Sequence, residues 1–215
     1  MSTQIQGLVI DPAETNYAAG SYPIVGAGKS GELLTSGVHG KYYAANMAGA
    51  VFCCSVTGVT VPTVANNLVS VFSFYNPASS GVNAELIDLD INSVNATTVV
   101  NTFGLYYQNS ATALNTATYT TVGVAGTNVF SGMCGVAPAN GVSFYSALTH
   151  AGTPVRWRAL GSNWAVTSTA IGSIHAEFDG RAIIPPGTIV SLATSTAAGT
   201  STGLGVTATW AEFPA

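Results

Sequence analysis

Two carboxylates stand two residues apart in the run Ala84-Glu85-Leu86-Ile87-Asp88-Leu89-Asp90-Ile91. On a strand that spacing places Asp88 and Asp90 on one side, with Ile87, Leu89 and Ile91 on the other. Two such carboxylates could hold calcium or bracket a glycosidic bond. They serve equally well as the wetted face of a strand or as a contact between subunits. The aromatic side chains carry a second chemistry. Tyr42-Tyr43, Tyr106-Tyr107, Trp157 and Trp164 could stack on sugar rings, although aromatics in strands more often fill cores and interfaces.

Other constellations fail on spacing. Gly26-Ala27-Gly28-Lys29-Ser30 has the ending of a phosphate-binding loop, but Pro23 stands where that motif needs its first glycine, and Gly31 follows at once. His39, His150 and His175 have no metal-ligand spacing, and no cysteine pair has the two-residue gap of a zinc site. His175 sits in an alternating segment, opposite in face to Ile174 and Ala176, as a solvent-facing or hydrogen-bonded residue would. Serines are many, but nothing in the sequence points to a catalytic triad. The sequence therefore assigns no catalytic residue, metal ligand or cofactor.

Charged residues make up 7% of the 215-residue chain, against roughly 25% in an average soluble domain. Hydrophobic residues make up 47%. So little charge leaves a monomer poorly solvated, and part of the surface is expected to be covered by sister subunits. The net charge is −4, and the five cations Lys29, Lys41, Arg156, Arg158 and Arg181 are scattered. That argues against a nucleic-acid partner, which needs clustered cations. The most apolar stretch, residues 44–54, is too short to span a bilayer, so no membrane partner is expected. Cys53, Cys54 and Cys134 make a poor disulfide framework and read as small buried thiols of a protein made in a reducing cytosol.

Residues 1–45 carry Pro12, Pro23 and many glycines with little alternation, and read as an extended arm with at most a short helix, best placed within 36–50. Residues 46–215 form one β domain. Strands are expected over 69–74, 84–91, 97–107, 118–124, 142–148, 155–160, 171–178, 188–194 and 204–213. Ala78-Ser79-Ser80-Gly81 reads as a hairpin loop joining the first two. The last forty residues likewise have the grammar of a hairpin ending on a strand. Residues 108–140 read as long surface loops over weak strands. The fold class is all-β, a jelly-roll-like antiparallel β-sandwich.

Three blocks, in order, carry a family resemblance. The first is Ser30-Gly31-Glu32-Leu33-Leu34 with His39-Gly40-Lys41-Tyr42-Tyr43-Ala44-Ala45 and Gly49-Ala50-Val51-Phe52. The second is Phe72-Ser73-Phe74-Tyr75-Asn76-Pro77 with Ser80-Gly81 and Asn83. The third runs from Phe178-Asp179-Gly180 through Pro185-Pro186-Gly187 and Ala197-Ala198-Gly199-Thr200 to Trp210-Ala211-Glu212-Phe213-Pro214. Together they resemble tailed-bacteriophage virion proteins of the capsid decoration (cement) or head-fibre kind. Residues 108–165 lie outside the resemblance. It implies a non-enzymatic jelly roll that assembles as a homotrimer, made in the host cytoplasm and ending on the capsid surface. The major capsid protein would be its partner, with Leu33, Leu34, His39, Tyr42 and Tyr43 as contacts of the arm. Asp88, Asp90, Trp157 and Trp164 remain candidates for a ligand or subunit contact. The alternative function is a fibre module that recognises a host-surface glycan.

Overall fold

A computed structural model describes residues 42–60, 69–93, 101–109, 120–124, 127–133, 141–150, 152–163, 172–194 and 203–215. The first 41 residues, with Leu33, Leu34 and His39, lie outside the described residues, as do Cys134 and Trp164.

One short helix, α1 (Tyr43–Met47), precedes the strands. In chain order these are β1 (Val51–Thr60), β2 (Phe72–Asn76), β3 (Val82–Ser93), β4 (Asn101–Asn109), β5 (Thr120–Thr121) and β6 (Val129–Ser131). There follow β7 (Ser143–Ser146), β8 (Val155–Asn163), β9 (Ser173–Glu177), β10 (Ile183–Ile184), β11 (Thr188–Thr194) and β12 (Gly203–Pro214). They make two antiparallel sheets. One has the order β10-β3-β12-β1-β6, with β9 also paired to β3; the other has the order β5-β7-β2-β11-β4-β8. Within them, β1-β12-β3-β9 faces β2-β11-β4-β8. Along the chain those eight strands pass back and forth between the sheets, which is the wrapping of a jelly roll. The jelly-roll-like sandwich expected from the sequence is the observed fold.

Both loops read as hairpins prove to be crossings. β2 and β3 lie in opposite sheets, so residues 77–81 carry the chain from one layer to the other. β11 and β12 are likewise in opposite sheets. Composition marks a turn but cannot say whether the flanking strands pair or part. Asn76 fixes the first crossing. Its Nδ2 donates to the Val82 carbonyl at 2.7 Å and to the Ile184 carbonyl at 2.8 Å, tying β2 to the start of β3 and the end of β10.

The core lies between the sheets around Trp210, which is fully buried. Its ring contacts Phe52, Phe74 and Phe144 at centroid distances of 5.7, 5.4 and 4.8 Å. Its Nε1 donates to Glu212 Oε1 at 3.0 Å, so the one polar atom of the ring is satisfied. Burial of such a ring is worth several kcal/mol, on the order of 3–5 by truncation. Glu212 in turn accepts from the Gly141 backbone N–H at 2.8 Å.

One expected face changes. Leu89 and Ile91 join the core as expected, but Ile87 does not. The β3–β12 register slips between Thr209 and Trp210, so Leu86 pairs with Trp210, Asp88 with Thr209, and Ile87 is the extra residue of a bulge. Leu86 takes the core position, and Ile87 turns outward to cluster with Val51 and Ala211. Tyr42 and Ala45 pack on that cluster. Helix α1 thus spans the boundary expected at residue 45, and its start rests on the sandwich.

Candidate functional site

The outward side of the sheet that contains β3 is built from aligned rows. One runs Phe130, Cys53, Thr209, Asp88, Glu177 across five strands, each residue opposite the next. The next runs Ser55, Thr207, Asp90, His175. Alternation along each strand forces this arrangement: the partners of Asp88 and Asp90 share their side of the pleat. Ser55 and Thr207 hydroxyls meet at 3.0 Å, and His175 Nδ1 lies 2.7 Å from Asp90 Oδ1. Glu177 Oε1 is 3.5 Å from the other ring nitrogen, Nε2. The hydrogen bond to Asp90, then that to Glu177, holds the His175 pKa above its ordinary value. Burial pushes the Asp88 carboxyl upward, opposed by its hydrogen bond with Thr209. The Cys53 thiol, also bonded to Thr209, is raised by burial too. Cys54 faces the opposite way, into the core, where burial pushes its thiol to about 12.

Asp88 and Asp90 do share one face, as the sequence indicates. His175 and Glu177 complete the group, and the alternation of residues 173–177 was the signal for them. Among the described residues no three His, Cys, Asp or Glu side chains converge as metal ligands. What these rows offer is a flat, hydrogen-bonded carboxylate surface.

Trp157 belongs to a different place. Tyr107 at the end of β4, Trp157 on the edge strand β8, and Ile183 and Pro185 beside β10 surround a cleft of about 330 Å³. Asn109 and Thr188 supply its polar side, and the Thr188 hydroxyl donates to Asn109 Oδ1 at 3.2 Å. The buried core residue Val190 also lines it. None of these side chains is charged. Trp157 is 38% exposed and Ile183 59%. The strand pairing shows why the tryptophan is turned here. Leu105 pairs with Arg158 and Tyr106 with Arg156, leaving Trp157 as an inserted residue. Arg158 then lies over the Phe178 ring at 5.0 Å, spending that cation on the core edge. Tyr106 is buried, so only the second of the Tyr106-Tyr107 pair reaches the cleft.

Of the expected arm contacts that are described, Tyr42 is half-buried on the sandwich and Tyr43 is 40% exposed. The structure does not merge the ligand candidates into one site: the aspartates stand on a sheet face and Trp157 in the end cleft. Nothing in the sequence marks the cleft, because it depends on a bulge and on chain segments some 30 to 80 residues apart. Comparison with known proteins finds no matching family model, no matching curated protein and no matching solved structure.

Proposed function

We propose that the chain is a non-enzymatic structural protein of a tailed-phage virion, coating the capsid as a homotrimer. The observation that carries this reading is a jelly roll with little charge to solvate its surface, 7% charged residues in all. Large apolar side chains such as Phe130, Val124, Met47 and Phe213 stand exposed on the single chain. A surface of that kind gains by being covered, and sister copies and a shell supply the cover. The resemblance of three sequence blocks to decoration and head-fibre proteins prompts the same reading. Residues 1–40 would anchor the protein to the major capsid protein. Binding to the assembled shell alone would then stabilise it by mass action.

The test is direct. Light scattering on the purified chain should give a mass near three times the 21.7 kDa of one copy. Deleting residues 1–40 should leave a trimer, at three times the mass of the shortened copy, and abolish binding to bare capsids in co-sedimentation. A monomer, or a truncated form that coats shells at full occupancy, overturns the reading. A second reading, recognition of a host-surface glycan, is favoured by one observation, the cleft beside Trp157.

A further inference from the structure

We propose that the cleft beside Trp157 is a binding site for a neutral sugar, with Trp157 as the stacking platform and Asn109 and Thr188 as the hydrogen-bonding side. The inference develops the glycan reading and is independent of capsid attachment.

Three observations meet here. The first is the bulge. Edge strands take up an extra residue where a side chain must be re-aimed, and here the inserted residue is the tryptophan itself. A second slip three residues on, between Phe103 and Gly104, inserts Leu160 in the same way, and Leu160 packs against the core. Trp157 is turned by the same device yet stays 38% exposed. The second is the lining. A cleft of about 330 Å³ falls within the size of small-ligand sites and mixes apolar walls with a few convergent polar groups. The third is charge. With no ionic side chain in the lining, an acidic or basic ligand finds no counter-ion, so the occupant is neutral.

Two other occupants fit less well. A purely apolar one would strip water from the Asn109 amide and the Thr188 hydroxyl and return nothing. An added peptide strand needs a regular edge, and the two slips interrupt the β8 ladder within five residues. A pyranose supplies both halves of the match. Its C–H face lies on an aromatic ring, and its hydroxyls exchange bonds with the Asn109 amide and the Thr188 hydroxyl.

The experiment is a glycan array carrying neutral and sialylated or sulfated glycans, probed with the full-length protein. The methyl glycoside of the best terminal sugar is then titrated by tryptophan fluorescence and calorimetry. Binding should be confined to neutral glycans. Trp157→Ala should weaken it about tenfold or more, the loss expected of one stacking ring. Trp157→Tyr should restore part of it, and Asn109→Ala should weaken it severalfold. Thermal melts identify any variant that has merely lost its fold; Trp157→Tyr and Asn109→Ala, both exposed positions, then carry the test. An array blank for neutral glycans overturns the proposal, as does unchanged affinity in folded Trp157→Ala. So does a Trp157→Ala protein whose mass in light scattering drops, since the cleft would then be a seat for a sister copy. Capsid co-sedimentation of the same variants should be unchanged, so the two readings fail separately.

Discussion

The two sheets share one core but differ on the sides turned away from it. On the sheet of β3, β12, β1 and β9 the outward side is covered only where α1 packs on Val51, Ile87 and Ala211; elsewhere hydroxyls, Cys53, carboxylates and His175 reach toward solvent. On the sheet of β2, β11 and β4 the outward residues are closed in as well. Every residue of β2 and of β11 is buried. Tyr75 and Ile189 are capped by Leu148, which clusters with them, and Ser73 is bonded to Ser191 at 2.8 Å and to Ser70 at 2.6 Å. Each side has its histidine. His175 is exposed and bonded to Asp90; His150 is buried, bonded through Nδ1 to Gln108 at 2.8 Å. The lesson is that the middle of one sheet, β2 and β11, is inside the protein on both sides, while much of the other sheet is a display surface.

The comparison breaks most readily by truncation on the closed side. Leu148→Ala should cost about 2–5 kcal/mol in urea unfolding, whereas Thr207→Ala on the open side should stay within about 0.5 kcal/mol. Equal costs would mean that the closed side is not a second core. Acid is the next probe. Burial holds the His150 pKa at about 4, below its ordinary 6.5. A depressed value stabilises the fold above the ordinary pKa and is lost as pH falls toward the lowered one. Stability should therefore drop by up to about 3 kcal/mol between pH 6.5 and 4. His150→Gln cannot titrate and should flatten that part of the profile. Ser191→Ala, which takes one partner from the buried Ser73 hydroxyl, should cost about 1 kcal/mol. The smallest effect belongs to the open side and has the opposite sign. The raised His175 pKa favours folding below 6.5 and the benefit disappears as pH rises through the raised value. In Asp90→Asn the His175 titration, followed by NMR, should move back toward the ordinary range with little change in melting temperature.

This asymmetry also explains what could be read from the residues alone. β3 is open on one side, so polar and apolar residues alternate there, and Asp88 and Asp90 were placed correctly. The exception was Ile87, displaced by a bulge whose cause is the pairing with β12, over a hundred residues away. β2 and β11 are covered on both sides, so their sequences could mark strands but not faces. The hairpin readings failed for a related reason. Turn residues such as Asn76-Pro77 and Pro185-Pro186-Gly187 record where the chain bends, while the choice of partner strand is made by packing. The Trp157 cleft was invisible because its walls come from β4, β8, β10 and β11, and because the insertion that aims the ring leaves no trace in composition.

The placement of β12 has a consequence for biosynthesis. This strand lies between β1 and β3, joined to Val51 at one side and to Val82 at the other. It is also made after every other strand described. Until it emerges from the ribosome, β1 and β3 have no common neighbour and Trp210 is missing from the centre of the packing. The nascent chain must therefore wait with two unpaired edges until β12 is made, so folding is expected to be slow and vulnerable to aggregation during that wait.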